Sequence, residues 1–188
     1  MNKKLIIDLG MHKCEDTSFY LSKGYRVVAV DADPNLVESA KNRFSSYYKA
    51  GDFEIIQNAI SGTDGEEVTF HISQKTLWNS LKSEISERES ELMVKITVKT
   101  ITLASIIKKF GAPHYCKIDI EGFDEVAVAS MNGLESIPTY ISVETECLGI
   151  DQVITDEEAL KTLYRLHDVG YTKFKLVDQM SLRLLRLD

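Results

Sequence analysis

Four acidic residues in this chain each lie at the end of a short apolar run of the kind that forms a buried strand. Asp8 follows the run that begins at Leu5, Asp31 closes RVVAV, Asp119 lies in KIDIEG, and Glu144 follows YISV. Because the carboxyl ends of parallel strands meet at one edge of a sheet, we expect these four carboxylates to share a rim. Like charges placed together repel each other, so this clustering is hard to explain by stability and indicates a site.

The segment KIDIEG, from Lys117 to Gly122, carries a second set of groups that could do chemistry. Alternate side chains of a strand point to opposite faces, so Lys117 and Asp119 share one face and the isoleucines share the other. A lysine in a buried strand is costly unless it is paired, and either Asp119 or Asp8 would supply the partner. An ion pair that only holds the sheet together is the structural alternative. A functional site is favoured because Asp119 and Glu121 fall at the carboxyl end of the strand, beside Asp8.

The first loop decides which cofactor such a rim would suit. A dinucleotide site needs G-x-G-x-x-G directly after the first strand, so that the backbone can approach a pyrophosphate. Here only Gly10 is present, and the carboxylate of Asp8 would repel a pyrophosphate. A second acid, Asp31, about twenty residues later suits a ligand that carries a ribose. The sequence therefore favours S-adenosylmethionine, whose sulfonium and amino groups are cationic, over NAD, which remains the alternative cofactor.

The elements that would position these groups begin with a strand–helix–strand unit between Lys4 and Pro34. We predict a buried strand at Leu5–Ile7, a helix that starts near residues 15–17 and ends before Gly24, and a second strand that ends on Asp31. The helix is expected to use three apolar positions, Phe19, Tyr20 and Leu21. A crossover unit of this kind places a cofactor at the carboxyl ends of its strands, with the helix N-terminus facing the ligand.

Strand and helix patterns continue to alternate along the rest of the chain. Apolar periodicity predicts helices at residues 35–48, 103–110, 124–131 and 155–169. Further strands are predicted at residues 53–56, 68–72, 95–101, 115–120, 140–143, 172–177 and 181–187, the last as a hairpin partner. These patterns predict a single α/β domain with a doubly wound, mostly parallel sheet and helices on both faces.

The stretch from residue 74 to 95 interrupts this alternation, because it is polar and dense in charge. We interpret it as an excursion from the core that forms a lid or a partly mobile loop; a solvated surface loop without function is the alternative. Trp78, Asn79 and Ser80 within it would cover an acceptor, since an aromatic ring and an amide suit the face of a sugar.

Composition and charge limit the classes of function. A chain of 188 residues is long enough for one domain with a sizeable core, and its net charge of -7 argues against a general nucleic-acid binder. The first apolar run stops at Asp8, too short for a signal sequence, and no later run is long enough to span a membrane. The cysteines Cys14, Cys116 and Cys147 are widely spaced and form no metal pattern. We therefore expect a cytoplasmic protein with buried thiols that binds neither nucleic acid nor a membrane.

The ordered blocks IIDLG, VVAVDADP, QNAISGTDGEEVTF, KIDIEGFDEVAVASM and ISVETE resemble those of the FkbM family of S-adenosylmethionine-dependent methyltransferases. The resemblance runs from about Leu5 to Gln179, and K-I-D-[IV]-E-G is its most specific block. It implies a class I methyltransferase (Rossmann-like) fold, S-adenosylmethionine as cofactor and methyl transfer to a hydroxyl oxygen. The cofactor-binding residues implied by position are Asp8 and Gly10 in the first motif, Asp31 at the ribose with the adjacent Ala32, Asn58 and Ala59 beside the adenine, and Asp119.

The first loop of this chain departs from that family, whose usual pattern is G-A-N-x-G. Here it reads Gly10-Met11-His12-Lys13-Cys14, and we expect Met11 and Cys14 to leave less room for the backbone near the cofactor. His12 is a candidate member of the cofactor site, as a proton acceptor or a partner for a carboxylate; a loop histidine without a role is the alternative. The larger loop residues also favour an alternative function, a non-catalytic module that binds the nucleoside or serves in interaction.

For methyl transfer, the groups at the end of the KIDIEG strand receive separate roles. An in-line displacement depends on positioning, and a neutral alcohol must lose its proton as charge moves to carbon. Asp119 and Glu121 are the candidates for orienting and deprotonating the acceptor, and Lys117 is expected to tune Asp119. The acceptor is expected to be a small molecule or a glycan. A divalent ion on Asp119 and Glu121 is conceivable, but no histidine ligand set accompanies them, so no metal site is predicted.

Overall fold

A central parallel sheet organises the computed structural model, which describes residues 3–72, 94–120, 122–144, 156–178 and 183–185. Along the chain the elements are β1 (Leu5–Leu9), α1 (Glu15–Ser22), β2 (Arg26–Asp31), α2 (Pro34–Arg43), α3 (Ser45–Ala50), β3 (Phe53–Gln57), β4 (Ala59–Ile60), β5 (Glu67–Ile72), β6 (Val94–Ile101), α4 (Leu103–Phe110), β7 (Tyr115–Ile118), α5 (Asp124–Ser130), β8 (Tyr140–Val143), α6 (Asp156–Val169), β9 (Leu176–Asp178) and β10 (Arg183–Leu185).

The five central strands lie in the order β3–β2–β1–β7–β8, and every neighbouring pair is parallel. The order reverses at β1, because the chain adds β2 and β3 on one side and later adds β7 and β8 on the other. The register of β1 with β7 places Asp8 directly opposite Lys117. An open parallel sheet binds ligands outside the carboxyl ends of its strands, at the point where the order reverses. The carboxyl end of β1 and its two neighbours therefore mark where a site should lie.

Alternate residues of the central strands pack in two separate hydrophobic clusters, one on each face of the sheet. Ile6 packs in a cluster with Leu21 of α1 and Val37 of α2, whereas the next residue, Ile7, packs in a cluster with Ile106 of α4. Each fully buried Val, Leu or Ile side chain stabilises the fold by about 1.5–3 kcal/mol relative to exposure, so both layers are needed. The prediction of a doubly wound α/β sheet with helices on both faces is confirmed.

A smaller three-stranded sheet, in the order β4–β6–β5, extends from the corner after β3. Strand β6 pairs with β4 in parallel and with β5 in antiparallel fashion. Each strand of this smaller sheet contributes a buried residue (Ala59, Phe70 and Val98) to a third cluster, which also contains Ala32, the residue after β2. The second sheet therefore supports the end of β2, where Asp31 lies.

Two helices differ from their predicted form. The helix predicted at residues 35–48 is broken into α2 and α3, because Phe44 leaves helical geometry (φ -106°, ψ 24°) and packs its ring against Phe53. In α1, the side chain of Phe19, one of the three predicted apolar positions, is 56% exposed. A helix of eight residues buries one stripe, and here that stripe runs through Leu21.

Several strand ends also differ from the predictions. The strand predicted at residues 115–120 ends at Ile118, because the chain then turns towards α5 with Gly122 in the left-handed region (φ 87°). The strand predicted at 172–177 is β9, which is shorter because pairing with β10 involves only Leu176–Asp178. Strand β6 begins at Val94, which pairs with Ile72, one residue before the predicted start at residue 95.

Some predictions fall on residues 73–93, 121 and 145–155, outside the described ranges. They concern most of the polar excursion with Trp78, the candidate base Glu121, and Cys147. Cys14 and Cys116 are buried free thiols, as expected. Among the helices of the described ranges, none combines the length and the apolar character needed to cross a membrane.

Candidate active site

Gly10 joins the first loop to the end of β7. The N–H groups of Gly10 and Met11 both donate to the carbonyl oxygen of Val30, at 3.0 and 3.3 Å, so the loop turns across the end of β2. Gly10 has a φ of +76°, and a Cβ built on it would overlap the carbonyl oxygen of Asp119. The N–H of Asp119 in turn donates to the carbonyl of Leu9 at 3.1 Å. Glycine is required here by the backbone of Asp119, which fixes the first loop and the candidate base relative to each other.

Replacing Gly10 with alanine should therefore destabilise the protein by more than backbone strain alone. A left-handed conformation costs a residue with a side chain roughly 1–2 kcal/mol, and here the added methyl group must also displace Asp119. Gly24→Ala is the matched control, because Gly24 has a similar φ of +82° and its added Cβ meets no atom of the described residues within 4 Å. Thermal melts should give a lower Tm for Gly10→Ala than for Gly24→Ala. Equal Tm values would contradict the close packing.

Lys117 lies at the centre of an ionic network beside this loop. Its Nζ is 3.1 Å from Asp119 Oδ2, 3.2 Å from Asp16 Oδ2 and 3.8 Å from Asp8 Oδ1. Burial disfavours the charged lysine, but the carboxylates of Asp8 and Asp119 outweigh burial and raise the pKa of Lys117. The prediction that this lysine pairs with Asp119 or Asp8 is confirmed. Both acids are partners, and Asp16 from the first turn of α1 is a third.

Asp8 is fully buried inside β1, not after it as predicted. Its Oδ2 accepts a hydrogen bond of 2.6 Å from the hydroxyl of Thr17 in α1, while Oδ1 lies 3.8 Å from Lys117 Nζ and has no hydrogen-bond partner among the described residues. Burial raises the pKa of Asp8, and the charge of Lys117 and the hydrogen bond from Thr17 oppose that rise. A carboxyl group without exposed surface does not reach a ligand in this conformation. Asp8 links α1 and Lys117 to the central strand, and its place in the cofactor site stays a prediction.

Asp31 closes β2 and holds the first loop through its side chain. Its Oδ2 accepts a hydrogen bond of 3.0 Å from the N–H of His12, and its Oδ1 accepts one of 2.9 Å from the N–H of Asp33. Burial raises the pKa of Asp31 to about 6, although these two hydrogen bonds lower it. Each carboxylate oxygen has a further lone pair, so this half-buried group retains capacity to accept hydrogen bonds from a ligand.

The loop between β1 and α1 has left-handed backbone at two residues that are not glycine. His12 has a φ of 48° and Cys14 a φ of 65°. Such strain persists only where the surroundings maintain it, and it is common at functional sites. Met11 and Cys14 are buried and pack in the cluster that contains Leu21. Their bulk is therefore taken up by the core and not by the outer side of the loop, which removes the reason for expecting them to crowd a cofactor.

Two side chains of this loop, the thiol of Cys14 and the ring of His12, could take part in chemistry. Burial raises the pKa of the Cys14 thiol to about 11, so the neutral, unreactive form prevails. His12 Nε2 is buried and has no hydrogen-bond partner in the described part of the chain. The backbone N–H of His12 donates to Asp31, and the role of its ring in the cofactor site stays a prediction.

The remaining predicted cofactor residues line the corner after β2 and β3. Ala32 and Ala59 are buried together in the third cluster, so they contribute packing behind Asp31. The N–H of Asn58 donates to the carbonyl of Asp31 at 3.2 Å, and its side-chain amide donates to the carbonyl of Lys99 at 2.9 Å. Asn58 thus links the end of β2 to β6 through these two hydrogen bonds, and its side-chain NH2 group already donates to a backbone carbonyl.

Two further acids lie on the other side of Asp119, and we call the three the acidic rim: Asp119, Asp124 and Glu144. Asp124 begins α5 and is only 6% exposed, and Glu144 follows β8, the parallel neighbour of β7. Burial and the charges of Asp119 and Glu144 raise the pKa of Asp124 to about 6, against the backbone N–H groups of Asp124 and Ile120. Asp124 Oδ1 has no hydrogen-bond partner among the described residues.

The structure brings the predicted residues into two adjoining groups. Asp8, Lys117 and Asp119 contact one another directly, and Gly10 packs against Asp119. His12 and Asp31 form the second group, which Ala32, Asn58 and Ala59 support from behind. Glu121 lies in a gap of the described ranges, and its role stays a prediction. In the parts of the chain that the structure describes, no group of three or more His, Cys, Asp or Glu residues is arranged to hold a metal ion.

Sequence reasoning missed Asp16, Thr17 and Asp124 as members of the site. Asp16 and Thr17 fall in the first turn of the helix predicted after β1, and that position alone could have indicated contact with groups at the strand end. Asp124 follows the KIDIEG block closely, but its burial depends on how α5 packs. No local pattern in the sequence predicts that burial.

The fold and the position of these groups define a class of protein. A parallel sheet with helices on both faces, and with its acids and its glycine turn gathered at the strand-order reversal, is that of a Rossmann-like α/β protein. The family model of the methyltransferase FkbM domain matches residues 8–171. The chain therefore belongs to the FkbM methyltransferase family, as the resemblance of its sequence blocks indicated. No curated protein and no solved structure matches the chain.

Proposed function

We propose that the protein transfers the methyl group of S-adenosylmethionine to a hydroxyl oxygen of a small molecule or glycan. The observation that carries the proposal is the packing of Asp119 against Gly10. This contact holds the backbone of Asp119 against the loop that would bind the cofactor, and the proposal takes the carboxylate of the same residue as the proton acceptor. Membership in the FkbM methyltransferase family supports the class of reaction.

The residues around the first loop fit an S-adenosyl ligand. Asp31 has its carboxylate at the end of β2, with spare lone pairs for a ribose diol. Its pKa of about 6, raised by burial, leaves it ionised at neutral pH while making new hydrogen-bond donors favourable. Ala32 and Ala59 supply an apolar corner of the kind that an adenine ring packs on. NAD fits less well, because Gly10 is the only glycine in the loop.

The cofactor, when bound, supplies an electrophilic methyl group on a sulfonium. Asp119 accepts the proton of the acceptor hydroxyl as the oxygen attacks, and its side chain, 34% exposed, is accessible for this. Lys117 holds Asp119 Oδ2 at 3.1 Å and so fixes the direction in which the carboxylate points. The fully buried Asp8 in turn anchors Lys117, since it lies opposite in the neighbouring strand. Catalysis therefore depends mainly on positioning, as expected for an in-line displacement.

The acidic rim supports an acceptor that is neutral or cationic near its reacting hydroxyl. A phosphate or carboxylate placed beside Asp119, Asp124 and Glu144 would be repelled by like charge. A neutral polyol, such as a sugar residue of a glycan, avoids this repulsion.

Isothermal titration calorimetry with S-adenosylhomocysteine and with NAD tests the cofactor. The proposal requires binding of S-adenosylhomocysteine and no binding of NAD. A screen of neutral, amino and phosphorylated hydroxyl acceptors with a labelled methyl donor then tests the reaction, and label should appear on neutral acceptors. Binding without transfer to any member of a broad screen would favour the non-catalytic module, and preferential binding of NAD would favour an oxidoreductase.

A further inference from the structure

Arg43 reaches from the end of α2 to the loop between β1 and α1. Its Nη1 donates a hydrogen bond of 2.9 Å to the backbone carbonyl of Lys13. The guanidinium also lies over the ring of Phe44, 5.0 Å from the centroid, and Phe44 is itself buried. Lys13 lies between His12 and Cys14, the two residues with left-handed backbone. The ring of Phe44 thus supports the arginine side chain, and the arginine contacts the strained part of the loop through the Lys13 carbonyl.

We propose that Arg43 is a cofactor-positioning residue: its hydrogen bond to the Lys13 carbonyl keeps the first loop in the conformation in which the N–H of His12 holds the Asp31 carboxylate. The inference rests on the proposed function, because it assigns Asp31 to the ribose. Arg43 acts through the loop and does not contact the cofactor itself.

The need for such a contact follows from the backbone. Neither His12 nor Cys14 has glycine's freedom to adopt a positive φ, so contacts must maintain the conformation. One contact comes from inside the loop, where the N–H of Cys14 donates to the carbonyl of Met11 at 2.8 Å. The hydrogen bond from Arg43 to Lys13 is a second contact, and it comes from another element.

Loss of the Arg43 contact should raise the pKa of Asp31. The N–H of His12 is one of the backbone donors that lower the pKa of Asp31 against the effect of burial. When the loop relaxes, the carboxylate loses this donor, and its protonated form persists to higher pH. A ribose diol then loses its acceptor over a wider pH range. The pH dependence of binding therefore reports on Arg43 in a way that a general loss of stability does not.

The test compares Arg43→Met with Lys41→Met. Methionine removes the donor and the charge but keeps an unbranched apolar stem over Phe44. Lys41 is the matched control, because it lies in the same last turn of α2 and carries the same charge. Calorimetric titration with S-adenosylhomocysteine at several pH values should give a Kd about tenfold higher for Arg43→Met, the effect of losing one charge-assisted hydrogen bond. The midpoint of its pH dependence should move above the value near 6 expected of the wild type. Arg43→Lys, which keeps a long side chain with an N–H donor, should recover part of both losses.

Hydrogen exchange in the ligand-free protein gives a second readout at the loop itself. The amide of His12 should exchange faster in Arg43→Met than in the wild type or in Lys41→Met. Unchanged Kd and exchange in Arg43→Met, or the same changes in Lys41→Met, would overturn the inference. If the wild type does not bind S-adenosylhomocysteine, the proposed function fails; exchange at His12 then still decides whether Arg43 fixes the loop.

Discussion

Binding of S-adenosylhomocysteine is expected to weaken as the pH falls, with a midpoint near 6, the pKa to which burial raises Asp31. A ribose diol donates hydrogen bonds to an ionised carboxylate, and protonation of Asp31 removes that acceptor. Well above the midpoint the group is ionised and the Kd is constant. Below it, the Kd should rise by up to about tenfold per pH unit, because binding must then release a proton, and it should level off at the weaker affinity of the protonated form. Calorimetry in two buffers of different ionisation enthalpy measures that proton release directly.

Substitutions separate Asp31 from the other acid with a similar pKa. Asp31→Ala should weaken binding by about 1.5–3 kcal/mol, the range for a hydrogen bond to a charged group. Asp31→Asn should bind weakly and without the pH dependence, since the amide does not titrate. Asp124, whose pKa burial also raises to about 6, is the control, and Asp124→Asn should retain the pH dependence. If Asp124→Asn abolishes the dependence and Asp31→Asn does not, Asp31 is not the ribose acceptor.

The parts of the fold that the sequence predicted are those that depend on local pattern. Runs such as RVVAV are apolar at every position, which is typical of a strand buried on both faces. In the structure its Val27 and Ala29 pack on one face, and Val28 and Val30 pack on the other. The approach of Asp8 to Asp119 across Lys117 was also predictable, because the carboxyl ends of neighbouring parallel strands meet at one edge of the sheet.

The pairing of Lys117 was predictable for a different reason. A charged side chain in a buried strand must find a partner, and only residues on its own face or on a neighbouring strand are within reach. That rule gave Asp119 and Asp8, and both are partners. It did not give Asp16, because the approach of α1 to the strand end depends on how the helix packs.

What the sequence did not reveal depends on contacts between distant segments. Gly10 was assigned to the cofactor site by its position in the first motif, and the structure adds a contact that the sequence did not indicate: its missing Cβ makes room for the backbone of Asp119. The break at Phe44 arises because its ring packs against Phe53, and nothing in the helical periodicity of residues 35–48 signals it. The hydrogen bond from Arg43 to Lys13 belongs to the same class of contact. Such contacts join elements whose local patterns are independent, so periodicity carries no information about them.

The ionic network also determines which substitution tests the chemistry cleanly. Lys117→Met would leave Asp8 fully buried and without its cation, and removing one partner of a buried pair typically costs about 3–5 kcal/mol. Protonation of Asp8, whose pKa burial already raises, would reduce that cost but would also change the network. A loss of activity in Lys117→Met would therefore not separate chemistry from folding. Substitution of Asp119, at the more exposed end of the network, avoids this difficulty.

Asp119→Asn should keep the fold and most of the affinity for S-adenosylhomocysteine while turnover falls by about 10²–10⁴-fold, the usual contribution of general acid–base catalysis. The amide is nearly isosteric with the carboxylate and its oxygen can still accept a hydrogen bond from Lys117, but it cannot take a proton from an acceptor hydroxyl. Melting temperature and S-adenosylhomocysteine affinity should therefore change little, and the loss should appear in the rate of methyl transfer to a neutral acceptor.

Asp16→Asn is the matched control for that measurement. Asp16 contacts the same ammonium at 3.2 Å and is half-exposed on α1, so its substitution removes one carboxylate from Lys117 without removing the candidate base. Its turnover should fall by less than about tenfold, well below the general-base range. Similar losses in the two variants would mean that the charge balance around Lys117 matters and that Asp119 takes no proton. Normal turnover in Asp119→Asn, on an acceptor that the wild type methylates, would show that the carboxylate of Asp119 is not needed for proton removal. Asp119 would then be only a structural partner of Lys117.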